Sequence, residues 1–128
     1  MFFRKPVLIV VALVTGWLID ADHALDLLFA RIGARGGPPL LESAATGAYF
    51  KQGAKVIVFL HSWELIAVWV SVWVWAGRAD VAVVGGLSWA AHLLIDHASY
   101  KLHPLAYSLV YRAAHRFSFS AVCGDDPR

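Results

Sequence analysis

Three stretches of this chain are almost entirely apolar, and its polar residues gather between them or near their ends. Residues 6–29 are apolar as far as Ile19 and then meet Asp20, Asp22, His23 and Asp26. Residues 56–76 read VIVFLHSWELIAVWVSVWVWA, the cleanest run, and residues 81–100 form the third. Each reaches the roughly 20 residues that a helix needs to cross a bilayer. Pro6 suits a first helical turn, where its missing N–H would have had no partner anyway. The pattern predicts an all-α fold, an integral membrane bundle of about three transmembrane helices in a single domain over 1–128.

Residues 30–55 are rich in Gly and Pro and read as a loop, with a short surface helix after Pro39. The second connection, Gly77-Arg78-Ala79-Asp80, is short, so the second and third spans should be antiparallel neighbours. Gly85 and Gly86 mark a place where a neighbouring helix can come close. After His103, residues 104–119 mix Leu, Tyr, Val and Phe with Arg112, His115 and Arg116. That mixture predicts an amphipathic helix lying at the membrane interface rather than a fourth span. The positive and apolar N-terminus resembles a secretory signal, but the acidic stretch after it has no small-x-small cleavage pattern, so a retained helix is expected.

Composition supports the membrane reading. The chain is 59% hydrophobic and only 16% charged, against about a quarter charged in soluble domains. The net charge of +2 is small and the helices carry Trp and Leu rather than Lys and Arg, so no nucleic-acid partner is expected. A single cysteine, Cys123, excludes an intramolecular disulfide. Six tryptophans (Trp17, Trp63, Trp69, Trp73, Trp75 and Trp89) read as packing residues and interface anchors.

The ionisable residues are the anomaly. Asp20, Asp22, Asp26, Glu64 and Asp96 lie in or at the ends of the apolar runs, together with His23, His61, His92 and His97. Each such group costs about 2.5–3.5 kcal/mol at the bilayer centre on insertion scales and is by default a functional-site hypothesis. His92 and Asp96 are four apart and share a helical face, as do His61 and Glu64, three apart. Asp22, His23 and Asp26 fall within about a 100° sector at 100° per residue, with Asp20 just beyond. Because consecutive spans alternate direction, the three clusters should lie on the same side of the membrane at similar depth. One shared site explains all of them.

Mixed imidazole and carboxylate donors suit a divalent transition metal, zinc first, with iron or manganese as alternatives. The expected ligand set is Asp20, Asp22, His23, His61, Glu64, His92 and Asp96. His97 points about 100° away from Asp96 and is read as a packing residue. Asp26 reads either as a cap paired with Arg31 or as part of the site. Ser62 reads as an interhelical hydrogen-bonding residue ahead of a nucleophile, and His103 and His115 as interfacial.

Three motifs in order resemble a family of inner-membrane, metal-dependent hydrolases: Asp20-Ala-Asp22-His23 after a first helix, His61-Ser62 opening the next, and Gly86 followed by His92 and Asp96. The resemblance covers roughly residues 15–100. It implies a metal site built from Asp20, Asp22, His23, His61, His92 and Asp96, and hydrolytic chemistry. Two features depart from the family pattern: residues 1–19 hold no histidine, and the longer motif that normally ends in His-Ser is reduced to Phe59-Leu60-His61-Ser62.

The function expected from these readings is hydrolysis of a lipid-like ester or phosphodiester by metal-activated water, with Glu64 or Asp20 as the catalytic proton acceptor. The alternative is a non-enzymatic membrane protein, oligomeric because three spans are few, that passes protons or metal ions. Haem held by His61 and His92 is a third reading, which leaves the acids unexplained. The expected partners are the bilayer, a lipid substrate and further copies of the chain. On the side of the clusters lie Arg31, Arg35, Lys51, Lys55, Lys101, Arg112, Arg116 and Arg128, and opposite them Arg4, Lys5 and Arg78. The positive-inside rule then predicts a cytoplasmic site.

Overall fold

The computed structural model describes residues 4–24, 27–28, 55–100 and 102–123. Asp26, most of the 30–55 loop and the segment after Pro39 lie outside the described residues. The chain divides into two compact units, one of Met1–Ile19 with Leu60–Tyr100, the other of Asp20–Phe59 with Lys101–Arg128. Secondary structure among the described residues is helical, as the hydrophobic pattern predicts.

Among the described residues, the first unit contains three helices: α1 (Arg4–Trp17), α2 (Trp63–Trp75) and α3 (Ala79–Ser99). A 3₁₀ turn at Leu18–Asp20 follows α1, and the helical run Pro6–Ala24 is, like Ala79–Ser99, long and apolar enough to cross a bilayer. At 1.5 Å per residue these runs measure about 28 and about 31 Å. Their apolar side chains remain largely uncovered: Ile9, Val10 and Leu13 on α1, and Val83, Leu87, Leu94 and Ile95 on α3, are exposed.

α3 is the central element. On one side Trp69 of α2 packs over Gly85, where an added Cβ would sit 2.5 Å from the indole Nε1. Val70 closes on Gly86 in the same way. Contacts of residues 69 and 70 with 85 and 86, and of His61 with His92 and Asp96 further along, make α2 and α3 antiparallel. On the other side the Ser88 hydroxyl donates to the Ala12 carbonyl at 2.7 Å, and His92 meets the Gly16 carbonyl at 2.8 Å. Both sets of numbers increase together, so α1 and α3 run parallel.

The second expected span is corrected. Residues 56–76 do not form one helix; α2 has 13 residues, about 20 Å, and the residues before it are extended or bent. The run Val56-Ile57-Val58-Phe59 is β-branched and aromatic, side chains that favour extended backbone. Its polar groups are bonded elsewhere than in a helix. Val56 N–H donates to the Phe117 carbonyl at 2.8 Å, and Arg112 donates to the Val58 carbonyl at 2.6 Å. The Leu60 carbonyl accepts from the Trp89 indole at 2.8 Å and from Ser62 N–H at 2.9 Å. Ser62, with φ −143° and ψ 138°, then opens the helix.

The second unit carries α4 (Leu109–Ala114) and α5 (Phe119–Cys123). Val56, Val58, Ala106 and Val122 form its core, with Leu102, Phe119 and Cys123 packed against them. Burial pushes the Cys123 thiol above its ordinary range. The single interfacial helix expected over 104–119 is therefore corrected to two short helices. Arg112, expected on a polar face, is fully buried. Arg116 and Phe117 both adopt positive φ (54° and 58°), ending α4 in a tight turn that brings the Phe117 carbonyl to Val56. The Ser108 hydroxyl caps the start of α4 by accepting from Tyr111 N–H at 3.2 Å.

Candidate metal centre

His61, His92 and Asp96 converge inside the first unit. His92 and Asp96 stand on successive turns of α3, the i,i+4 relation that puts both side chains on one face. Asp96 Oδ2 lies 3.2 Å from His92 Nε2 and 3.5 Å from His61 Nε2. The two imidazoles meet edge to face, centroids 5.4 Å apart and planes at 70°. His61 is buried at 1% exposure, just ahead of Ser62 and the start of α2, and the other two are half-buried. Each residue offers one donor atom, and all three atoms lie within 4.8 Å of one another, a His/Asp cluster that could hold a metal ion.

The spacing suits that use. Zn–N and Zn–O bonds of about 2.0–2.1 Å at tetrahedral angles place neighbouring donor atoms about 3.3 Å apart. The two donor distances at Asp96 bracket this value.

The protonation of His92 follows from its partner. A carbonyl oxygen only accepts, so the 2.8 Å contact with Gly16 requires the proton on Nδ1. A neutral His92 then turns a lone pair on Nε2 toward a carboxylate oxygen. Two acceptors at 3.2 Å repel unless a cation, either a proton or a metal ion, stands between them. A ring N–H held by a backbone carbonyl is the usual second contact of a metal-binding histidine.

The other expected ligands are placed as follows. Glu64 is half-buried in the first turn of α2 and does not belong to the converging trio. Asp20, Asp22 and His23 belong to the second unit. There Asp20 Oδ1 is 3.8 Å from His23 Nε2, Asp22 is buried and Asp20 is exposed. His97 is half-buried, off the site face. Ser62 is completely buried, but its hydroxyl has no hydrogen-bond partner among the described residues and does not cap α2, which corrects its expected interhelical bond.

Sequence reasoning missed Gly16, whose contribution is a backbone carbonyl and so has no signature in side-chain chemistry. Comparison with family models, with curated proteins and with solved structures gave no match.

Proposed function

We propose that this protein is a membrane-embedded, metal-dependent hydrolase acting on a lipid-like ester or phosphodiester. The observation that carries the metal part is the meeting of His92 Nε2, with its proton held on Nδ1 by Gly16, and His61 Nε2 on one oxygen of Asp96. Zinc suits this imidazole and carboxylate set, and iron or manganese are the alternatives. An ion of this kind supplies water acidified toward neutral pH. His61 and His92 would hold it, Asp96 would share its charge, and Glu64, an acid of the same unit, would take the proton from the attacking water. Asp20, Asp22 and His23 are nominated by the sequence as further donors.

Depth supports the substrate class. Asp96 and His92 lie three and seven residues before Ser99, the end of α3, hence about 5 and about 10 Å inside a helix just long enough to span. Lipid ester groups lie at the edge of the hydrocarbon core, within one to two helical turns of these residues. The Lys and Arg excess on this side favours a cytoplasmic orientation.

The test is elemental analysis of the detergent-purified full chain. Bound zinc, iron or manganese is expected in the wild type, and loss of it in His61→Ala, His92→Ala and Asp96→Ala. Separate Asp20→Ala, Asp22→Ala, His23→Ala and Glu64→Gln variants decide which of these also bind. Background metal in the wild type would overturn the metal reading. Full metal content without hydrolysis of phospholipid or phosphodiester substrates would remove the enzymatic one.

A further inference from the structure

We infer that Gly16 is the positioning residue of His92, and that its lack of a side chain fixes which imidazole nitrogen faces Asp96. α1 and α3 are joined by a two-rung ladder: Ser88 to the Ala12 carbonyl at 2.7 Å, and His92 Nδ1 to the Gly16 carbonyl at 2.8 Å. Ser88 and His92 are four apart on α3, and Ala12 and Gly16 four apart on α1. Two parallel helices in this register therefore present matching groups one turn apart. Such a ladder forms only where the backbones come close. Gly16 provides the space, because a Cβ there would lie 2.6 Å from the Ser88 hydroxyl oxygen and 4.0 Å from its Cβ.

The consequence for chemistry is specific. A helix carbonyl cannot donate, so it selects the His92 tautomer with Nδ1 protonated and turns Nε2 toward Asp96 and His61. Without this bond the ring is free to rotate or to carry its proton on Nε2. A substitution that adds bulk at position 16 must either push the Ser88 hydroxyl off the Ala12 carbonyl or move α1 away from α3. The first breaks the neighbouring rung, and the second lengthens the contact that orients His92. The role is one of position, since Gly16 touches neither a metal nor a substrate.

The consequence for metal affinity rests on the metal reading above, whereas the tautomer does not. Two readouts on the full-length protein in detergent separate them. Imidazole nitrogen NMR shifts of the wild type, with and without added zinc, should show His92 Nδ1 protonated; an unprotonated Nδ1 overturns the inference. Zinc titration should show affinity falling about 10–100-fold in Gly16→Ala, the usual effect of losing such a supporting contact. Ser88→Ala added to Gly16→Ala removes the atom in collision and should restore most of the affinity and the Nδ1 proton. Wild-type behaviour of Gly16→Ala, or a double variant no better than the single one, overturns the inference. If wild-type protein takes up no zinc, the metal reading fails, and the nitrogen shifts of the three proteins still decide this one.

Discussion

Arg112 shows how much a single side chain can carry here. It is completely buried in the second unit, and its guanidinium donates to the Val58 carbonyl at 2.6 Å. Val58 belongs to an extended segment, so its carbonyl has no helix to satisfy it. A hydrogen bond from a charged group contributes about 1.5–3 kcal/mol, and orphaning its buried partner costs a comparable amount. Arg112→Ala should therefore destabilise the protein by about 2–3 kcal/mol. Equilibrium denaturation in detergent, followed by the loss of tertiary signal, measures it. Lysine should not rescue, because an ammonium lacks the planar fork that reaches a carbonyl at this depth. Unchanged stability in Arg112→Ala would mean that water replaces the contact.

At the scale of elements, the α2–α3 pair depends on glycine. The Trp69 ring occupies the space where a side chain at position 85 would go, with three ring atoms within 2.7 Å of the missing Cβ. A rigid indole cannot yield as a flexible chain end can. Trp69 is also tied to its surroundings, its Nε1 lying 3.4 Å from the Val81 carbonyl and its ring against Trp73 and Trp89. Gly85→Ala should cost about 1–3 kcal/mol, the usual penalty for overpacking. A lower Tm, with tryptophan fluorescence shifted by movement of Trp69, is the expected record. Gly77→Ala is the control for backbone effects: Gly77 has φ +71° with nothing within 4 Å of an added Cβ, so strain alone acts there.

How much of this was legible depends on the distance over which each feature acts. The His92–Asp96 pair was readable because four residues of helix always bring side chains to one face. The closeness at Gly85 and Gly86 was readable because small residues in an apolar run have few other uses. The break before Trp63 was not. Apolar composition over 56–76 fits a buried strand-like segment as well as a span, and only the partners of its carbonyls settle the choice. Leu60 gives its carbonyl to Trp89 and Val58 gives its own to Arg112, residues 29 and 54 positions away. The amphipathic look of 104–119 misled for a similar reason. An arginine among apolar residues reads as a polar face unless a distant carbonyl is known to receive it.

Among the described residues, two helices are long and apolar enough to cross a bilayer, and both leave large apolar side chains uncovered. Trp75, 90% exposed, ends α2, a position suited to an interface anchor. Non-helical backbone is tolerated at membrane depth only where protein covers it, and His61 and Ser62, just before α2, are both buried. The protein should accordingly sediment with membranes and resist extraction by alkaline carbonate while dissolving in mild detergent. Release by carbonate would show that its apolar faces are covered by something other than lipid.

Sequence alone determined the helical class, the apolar runs, the acids and histidines embedded in them, and the shared face of His92 and Asp96. These follow from composition and from helical periodicity, which are local. The tertiary structure alone decided that α2 begins at Trp63, that His61 reaches Asp96, that Arg112 is buried and that the Gly16 carbonyl orients His92. Those depend on distances between elements and on backbone groups, which every residue carries alike and which no pattern of side chains along the chain records.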